Sequence, residues 1–182
     1  MANNTLSRSL HDLGLSAWFG GSLANAVALN PAANAAKDAK SAGAVVNAGW
    51  DRWTPVNAAA IGAHVVGAAM NLIGNKERVK GQKGVATMSL VKTGLTVTAL
   101  GVTGFSRVLG SKVSAHEDVA VQDGTTPLPG TPDKVAAAQK QLKVLQWVIP
   151  LVTGALIVVT AVAGEQQRPT NVVKGVLDRI TS

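Results

Sequence analysis

The stretch 144–164, VLQWVIPLVTGALIVVTAVAG, contains no charged residue. Roughly 20 apolar residues rising 1.5 Å each match the ~30 Å hydrocarbon core of a bilayer. A helix on the surface of a soluble protein keeps a polar face, and this one has none. The chain is therefore expected to be an integral membrane protein, and its other segments are read with lipid as a solvent.

Upstream of this span, Asp133 is placed to cap a helix that begins KVAAAQKQLKV and runs straight into it. From there to Gly164 is about 31 residues, or ~46 Å, longer than the hydrocarbon core. That helix should protrude or tilt, with Pro150 a kink of the sort membrane helices tolerate. Downstream of Arg168-Pro169, Val172, Val173, Val176, Leu177 and Ile180 share one side of the tail, and Lys174, Asp178 and Arg179 the other. This is the pattern of a short amphipathic helix at the interface. Leu6, Leu10 and Leu13 hint at a similar device near the N-terminus.

Three further spans are expected at 13–29, 56–73 and 85–109. The first has Asn25 as its strongly polar member and ends before Asn30-Pro31, where proline pushes the preceding residue out of the helical region. The Ala-rich segment 32–48, with Lys37, Asp38 and Lys40, is either a helix outside the bilayer or an extension of that span. Thr54 and Pro55 suit the start of the second span. The third carries Lys92, then five Thr or Ser (Thr93, Thr96, Thr98, Thr103 and Ser106) and three Gly, composition that fits a bundle interior better than a lipid-facing surface. Between it and the fourth, residues 110–132 are acidic and rich in Pro and Gly, which reads as an exposed extended loop.

Composition sets outer limits. With 182 residues the chain is one domain's worth. Its 47% hydrophobic content and mean hydropathy of +0.23 are modest because the spans use Ala, Gly, Val and Thr. The absence of Cys excludes disulfides, thiolate metal sites and cysteine nucleophiles. The net charge of +7 comes without an aromatic platform for bases, since there are two Phe and no Tyr. Anionic lipid headgroups, rather than nucleic acid, are the expected partner. The N-terminus MANNTLSRSLHDLG shows no cleavable signal and is expected to be retained. Lys76, Arg78, Lys80 and Lys83 form the densest basic cluster and are assigned to headgroups on the cytoplasmic side. Both termini then lie in the cytoplasm, while Arg107, Lys112, Lys140 and Lys143 flank the opposite face.

His64, near the middle of the second span, is the one candidate for cofactor binding or proton relay, because ionisable groups within a bilayer are costly. The alternative is a neutral imidazole bonded to a Thr or a carbonyl of the next helix. Haem ligation would want a second His at similar depth, and His11, at the start of the first span, and His116, in the loop, do not offer one. Lys92 is expected to snorkel, and Asn25 and Asn71 to bond between helices. Trp50, Trp53 and Trp147 are expected as interfacial anchors, as is Trp18 unless it packs against a neighbour. Small residues recur at helical spacing: Gly20, Ala24 and Ala28; Ala59, Ala63 and Gly67; and Gly101 between Val97 and Phe105. Such rows permit close helix contact, within the chain or between copies.

No nucleophile constellation, paired intramembrane carboxylate or phosphate-cradling loop stands out, so no enzyme, metal site or cofactor is expected. The segment 10–25, LHDLGLSAWFGGSLAN, resembles the first helix of small four-helix bacterial membrane proteins, and also copper-resistance-type membrane proteins with an early His. The resemblance implies a four-helix membrane fold; with no Cys and three Met, no copper role is expected. The reading is an all-α bundle of four transmembrane helices with a short amphipathic C-terminal helix. Its leading function is a non-enzymatic structural or accessory component that homo-oligomerises or docks into a larger membrane complex. A channel or transporter with a polar path along the Thr-rich third span and His64 is the alternative, and a haem- or metal-binding redox subunit the third.

Overall fold

The computed structural model describes residues 4–115 and 121–180, and their fold is all-α apart from one small hairpin. Helix α1, Thr5–Ala24, buries Ser7, His11, Gly14, Leu15, Trp18 and Ser22, spaced three and four apart along a single face. That inward face is mostly small or polar, whereas Leu6 and Leu13 point outward. Past Ala24 the chain does not break as Asn30-Pro31 suggested. A π turn at Asn25–Leu29 leads into one α turn, α2 at Asn30–Ala32, and a 3-10 turn at Ala33–Ala35. Proline has no N–H to donate, and the wider register just before it absorbs the missing bond.

Helix α3, Ala39–Gly74, joins the Ala-rich segment to the second expected span as one unbroken helix with Pro55 inside it. The segment is thus divided: 32–35 continues the first helix and Ala39 onward belongs to the second span. Thr54 does not cap; its hydroxyl donates to the Trp50 carbonyl at 2.7 Å. A short basic helix, α4 at Lys76–Gly81, precedes α5 at Val85–Ser114, with Gly84 supplying the left-handed turn between them. Helix α6 spans Asp133–Glu165, its cap being Pro132, with Asp133 in the first turn. The tail is α7, Pro169–Ile180.

Helices α3, α5 and α6 are each long and apolar enough to cross a membrane. Helix α1, which begins eight residues before the first expected span, is not among them, since Arg8, His11 and Asp12 occupy its first half and Asn25 stands at its far end. The four long helices run alternately up and down. At one end Arg8 reaches Gln167 at 3.5 Å, the Arg78 guanidinium donates to the Gln166 carbonyl at 3.1 Å, and the Lys83 amide donates to the Gly175 carbonyl at 3.1 Å. The start of α1, the end of α3, the start of α5 and the end of α6 therefore share that end. Helix α1 packs on α3 and α6, and α5 packs on α6.

At the opposite end, part of the expected loop folds back as an antiparallel hairpin, β1 at Val121–Asp123 and β2 at Thr126–Pro127. It rests on α3 and α6, with Thr125 buried and bonded to the Asp123 carboxylate. Gly124 is required at its turn, because a Cβ there would lie 2.7 Å from Val46 Cγ1 and 3.0 Å from Asn30 Oδ1.

The closest helix contact, α1 on α3, is made at Gly14 and Gly67. A Cβ on Gly14 would meet the Ala60 carbonyl and sit 2.5 Å from the His64 nitrogen. One on Gly67 would meet the His11 nitrogen and sit 2.6 Å from the Ser7 carbonyl. Only glycine lets two backbones approach this far.

Candidate functional site

The centre of the bundle is a closed layer of side chains drawn from all four long helices. Trp18 of α1 is fully buried against Ala99 of α5 and Ile149 of α6, with Ile61, Leu100, Val102 and Val152 around it. Its indole N–H donates to the Thr103 hydroxyl at 3.2 Å. An interfacial anchor would keep its polar edge in water; Trp18 instead finds its partner inside.

One turn away lies His64, also fully buried. Its Nδ1 is 3.3 Å from the His11 carbonyl and its Nε2 is 3.3 Å from the Thr96 hydroxyl. A carbonyl only accepts, so Nδ1 carries the proton and Nε2 accepts from Thr96. Both partners are of the types expected for a neutral imidazole. His11, by contrast, does not sit at the edge of the span. Its ring lies 4.4 Å from that of His64, centroid to centroid, and its Nδ1 donates to Asp12 at 2.7 Å. The heptad-like step from His11 to Trp18 along one α1 face carries this information, but the depth of His11 depends on how far α1 slides along α3. His11 Nε2 is buried without a hydrogen-bond partner. Among the described residues, no group of three or more His, Cys, Asp and Glu is arranged to hold a metal ion. His116 lies outside the described residues.

On either side of this layer is a cavity. The first, about 350 Å³, occupies the half of the bundle that holds the hairpin, and the second, about 380 Å³, the half that holds α4. Leu100 lines both. Trp50 and Trp53 line the first cavity rather than standing clear of the bundle. Trp50 donates to Asn30 at 3.2 Å, and Asn30 donates on to Gln146 of α6 at 2.9 Å. The Trp53 ring lies over Gly21, the glycine whose missing side chain makes room for it. Trp147 is half-exposed on the outside. Lys92, with Arg8, Asp12 and His11, lines the second cavity.

The small-residue rows divide. Gly67 is buried in the α1–α3 seam, and Ala63 is half-buried beside it. Gly20, Ala24, Ala28, Ala59 and Gly101 are exposed, and a Cβ on Gly20 or Gly101 would meet nothing within 4 Å. Asn71 makes an interhelical pair, accepting from the Ser7 hydroxyl at 2.8 Å. Asn25 donates to Gly21 within its own helix at 2.9 Å. Of the basic cluster, Lys76, Lys80 and Lys83 are exposed. Arg78 turns inward to Gln82, Gln166 and Asn75, and burial lowers its pKa.

Together these features define a class: a helical protein with three membrane-length helices and two cavities, lined by apolar and polar side chains, parted by a central layer. Comparison with known proteins places it no further, as no family model, no curated sequence and no solved structure matches the chain.

Proposed function

We propose that this is a non-enzymatic integral membrane protein whose four long helices all span the bilayer, and that it carries a small polar solute across it. The observation that carries the reading is the pair of cavities in opposite halves of the bundle, separated by the Trp18–Thr103 and His64–Thr96 layer. A closed centre with an accessible volume on each side is the geometry alternating access requires. The helices present Leu13, Leu90, Val97, Leu151 and Val158 outward and bury Ser7, Ser22, Gln139 and Thr153, an arrangement suited to lipid and not to water. The same inversion in α1 supports counting it as the fourth span. The exposed lysines of 76–83 favour placing that end, with both termini, against anionic headgroups in the cytoplasm.

Flux in liposomes tests this. Vesicles holding the protein should take up neutral solutes faster than empty ones, and His64→Ala should change that rate. Uptake no faster than empty vesicles, unaltered by His64→Ala, removes the transport reading.

The accessory reading, a component that self-associates or docks in a larger complex, is favoured by one observation of its own. Gly20, Ala24 and Ala28 form an exposed outward row, and a Cβ on Gly20 would meet nothing within 4 Å among the described residues. The mass of the detergent-extracted particle addresses it: a bare 18.5 kDa monomer would speak against self-association.

A further inference from the structure

Five buried polar atoms that find no hydrogen-bond partner among the described residues belong to side chains lining the first cavity. They are Trp53 Nε1 and Asn57 Oδ1 on α3, Ser106 Oγ on α5, and both Oε1 and Nε2 of Gln139 on α6. Gln139 is 0% exposed, and a fully buried amide with neither atom satisfied is a rare and costly arrangement. Helical spacing aims these residues together. Trp53 and Asn57 lie one turn apart on α3, and Gln139, Leu142, Gln146 and Ile149 line the cavity from a single stripe of α6.

We propose that this cavity is a binding site for an uncharged polyol of monosaccharide size. The unpartnered atoms are of mixed sense: the indole N–H only donates, the Asn57 oxygen only accepts, and the Ser106 hydroxyl and Gln139 amide do both. Hydroxyl groups meet such a set because each can donate and accept. Charge selects in the same direction. Among the described residues the lining has no carboxylate to hold a cation, and its one charged member, Arg107, is exposed. At ~30 Å³ per water the volume accommodates about a dozen non-hydrogen atoms, which is the size of a hexose or an inositol ring. The site deepens the transport reading and rests on it for its purpose, but binding is measurable without flux.

The test is titration of the detergent-purified full chain with glycerol, glucose and myo-inositol, followed by tryptophan fluorescence and thermal stability. Glucose or myo-inositol should shift both signals saturably and at lower concentration than glycerol, which is half the proposed size. Gln139→Leu and Asn57→Leu should each weaken that binding by about tenfold or more, the worth of a lost buried hydrogen bond. Gln139→Leu should at the same time raise the melting temperature of the unliganded protein, since it removes an unsatisfied buried amide. No saturable shift with any of the three polyols overturns the site. So does a Gln139→Leu protein that is less stable than the parent, because the amide would then be serving the fold. Binding without flux keeps the site and removes transport; flux of a polyol that Gln139→Leu leaves unaltered keeps transport and removes the site.

Discussion

Replacing Gly14 or Gly67 with alanine should separate α1 from α3. The new Cβ on Gly14 would lie 2.5 Å from the His64 nitrogen, and that on Gly67 would lie 2.6 Å from the Ser7 carbonyl. Carbon-to-oxygen contacts settle at about 3.3–3.6 Å, so the methyl on Gly67 overlaps the Ser7 carbonyl by about 0.7–1 Å, and that on Gly14 meets the Ala60 carbonyl as closely. Backbone cannot swing aside as a side chain can, so the helices must move apart. Overpacking of this kind costs about 1–3 kcal/mol, and rigid neighbours place both variants at the upper end. Separation also stretches the His64 bond to the His11 carbonyl and the Ser7–Asn71 pair, each worth about 0.6 kcal/mol between membrane helices. Either variant should thus lose about 3–4 kcal/mol. Gly20→Ala, with nothing within 4 Å of its Cβ, is the control and should be neutral or slightly stabilising. Reversible unfolding in mixed micelles by added dodecyl sulfate, read by circular dichroism, gives the numbers. The double variant should cost less than the sum, because the first separation relieves the second overlap. If Gly14→Ala and Gly67→Ala stay within about 0.5 kcal/mol of the parent, the size of an ordinary surface change, the two backbones are not in contact.

Trp18→Phe and Thr103→Val should each lose about 0.5–1.5 kcal/mol, and a double-mutant cycle should show coupling; strict additivity would mean that the indole does not bond Thr103. Arg78→Ala should free the end of α6, costing about 1–2 kcal/mol, with faster amide exchange in α7. Arg78→Lys should not restore protection, since one ammonium cannot span Gln82, Gln166 and Asn75 as the guanidinium fork does, and full rescue by lysine would count against that geometry. Gly124→Ala should lift the hairpin from Val46 at a cost of about 1 kcal/mol and expose Trp50 to acrylamide; unchanged quenching would show that the hairpin tolerates a methyl there.

The sequence by itself determined the helical class and the membrane-length helices. An uncharged run at 144–164 leaves few other solutions, and the starts of α5 and α7 follow Gly84 and Pro169, although α5 runs through Gly110 to Ser114 rather than ending at 109. It also determined the kind of partner His64 would take, because a neutral imidazole among hydroxyls and carbonyls has few choices. Tertiary structure decided which residues meet. Whether His11 lies at the membrane edge or against His64 depends on the axial offset between α1 and α3, set by Gly14 and Gly67, and local periodicity is blind to that offset. The continuity of α3 through Pro55 was likewise a matter of packing, since proline's local preference is to begin a helix. Trp18 and Trp53 read as anchors by residue type, yet were taken inward by Thr103 and by the space over Gly21. Gln139 carried no signal at all: beside Lys140 in a polar run, it is ordinary sequence. Only the assembled bundle buries it around the cavity that Asn57 and Ser106 also line, because burial is a property of the neighbours that arrive and not of the residue that receives them.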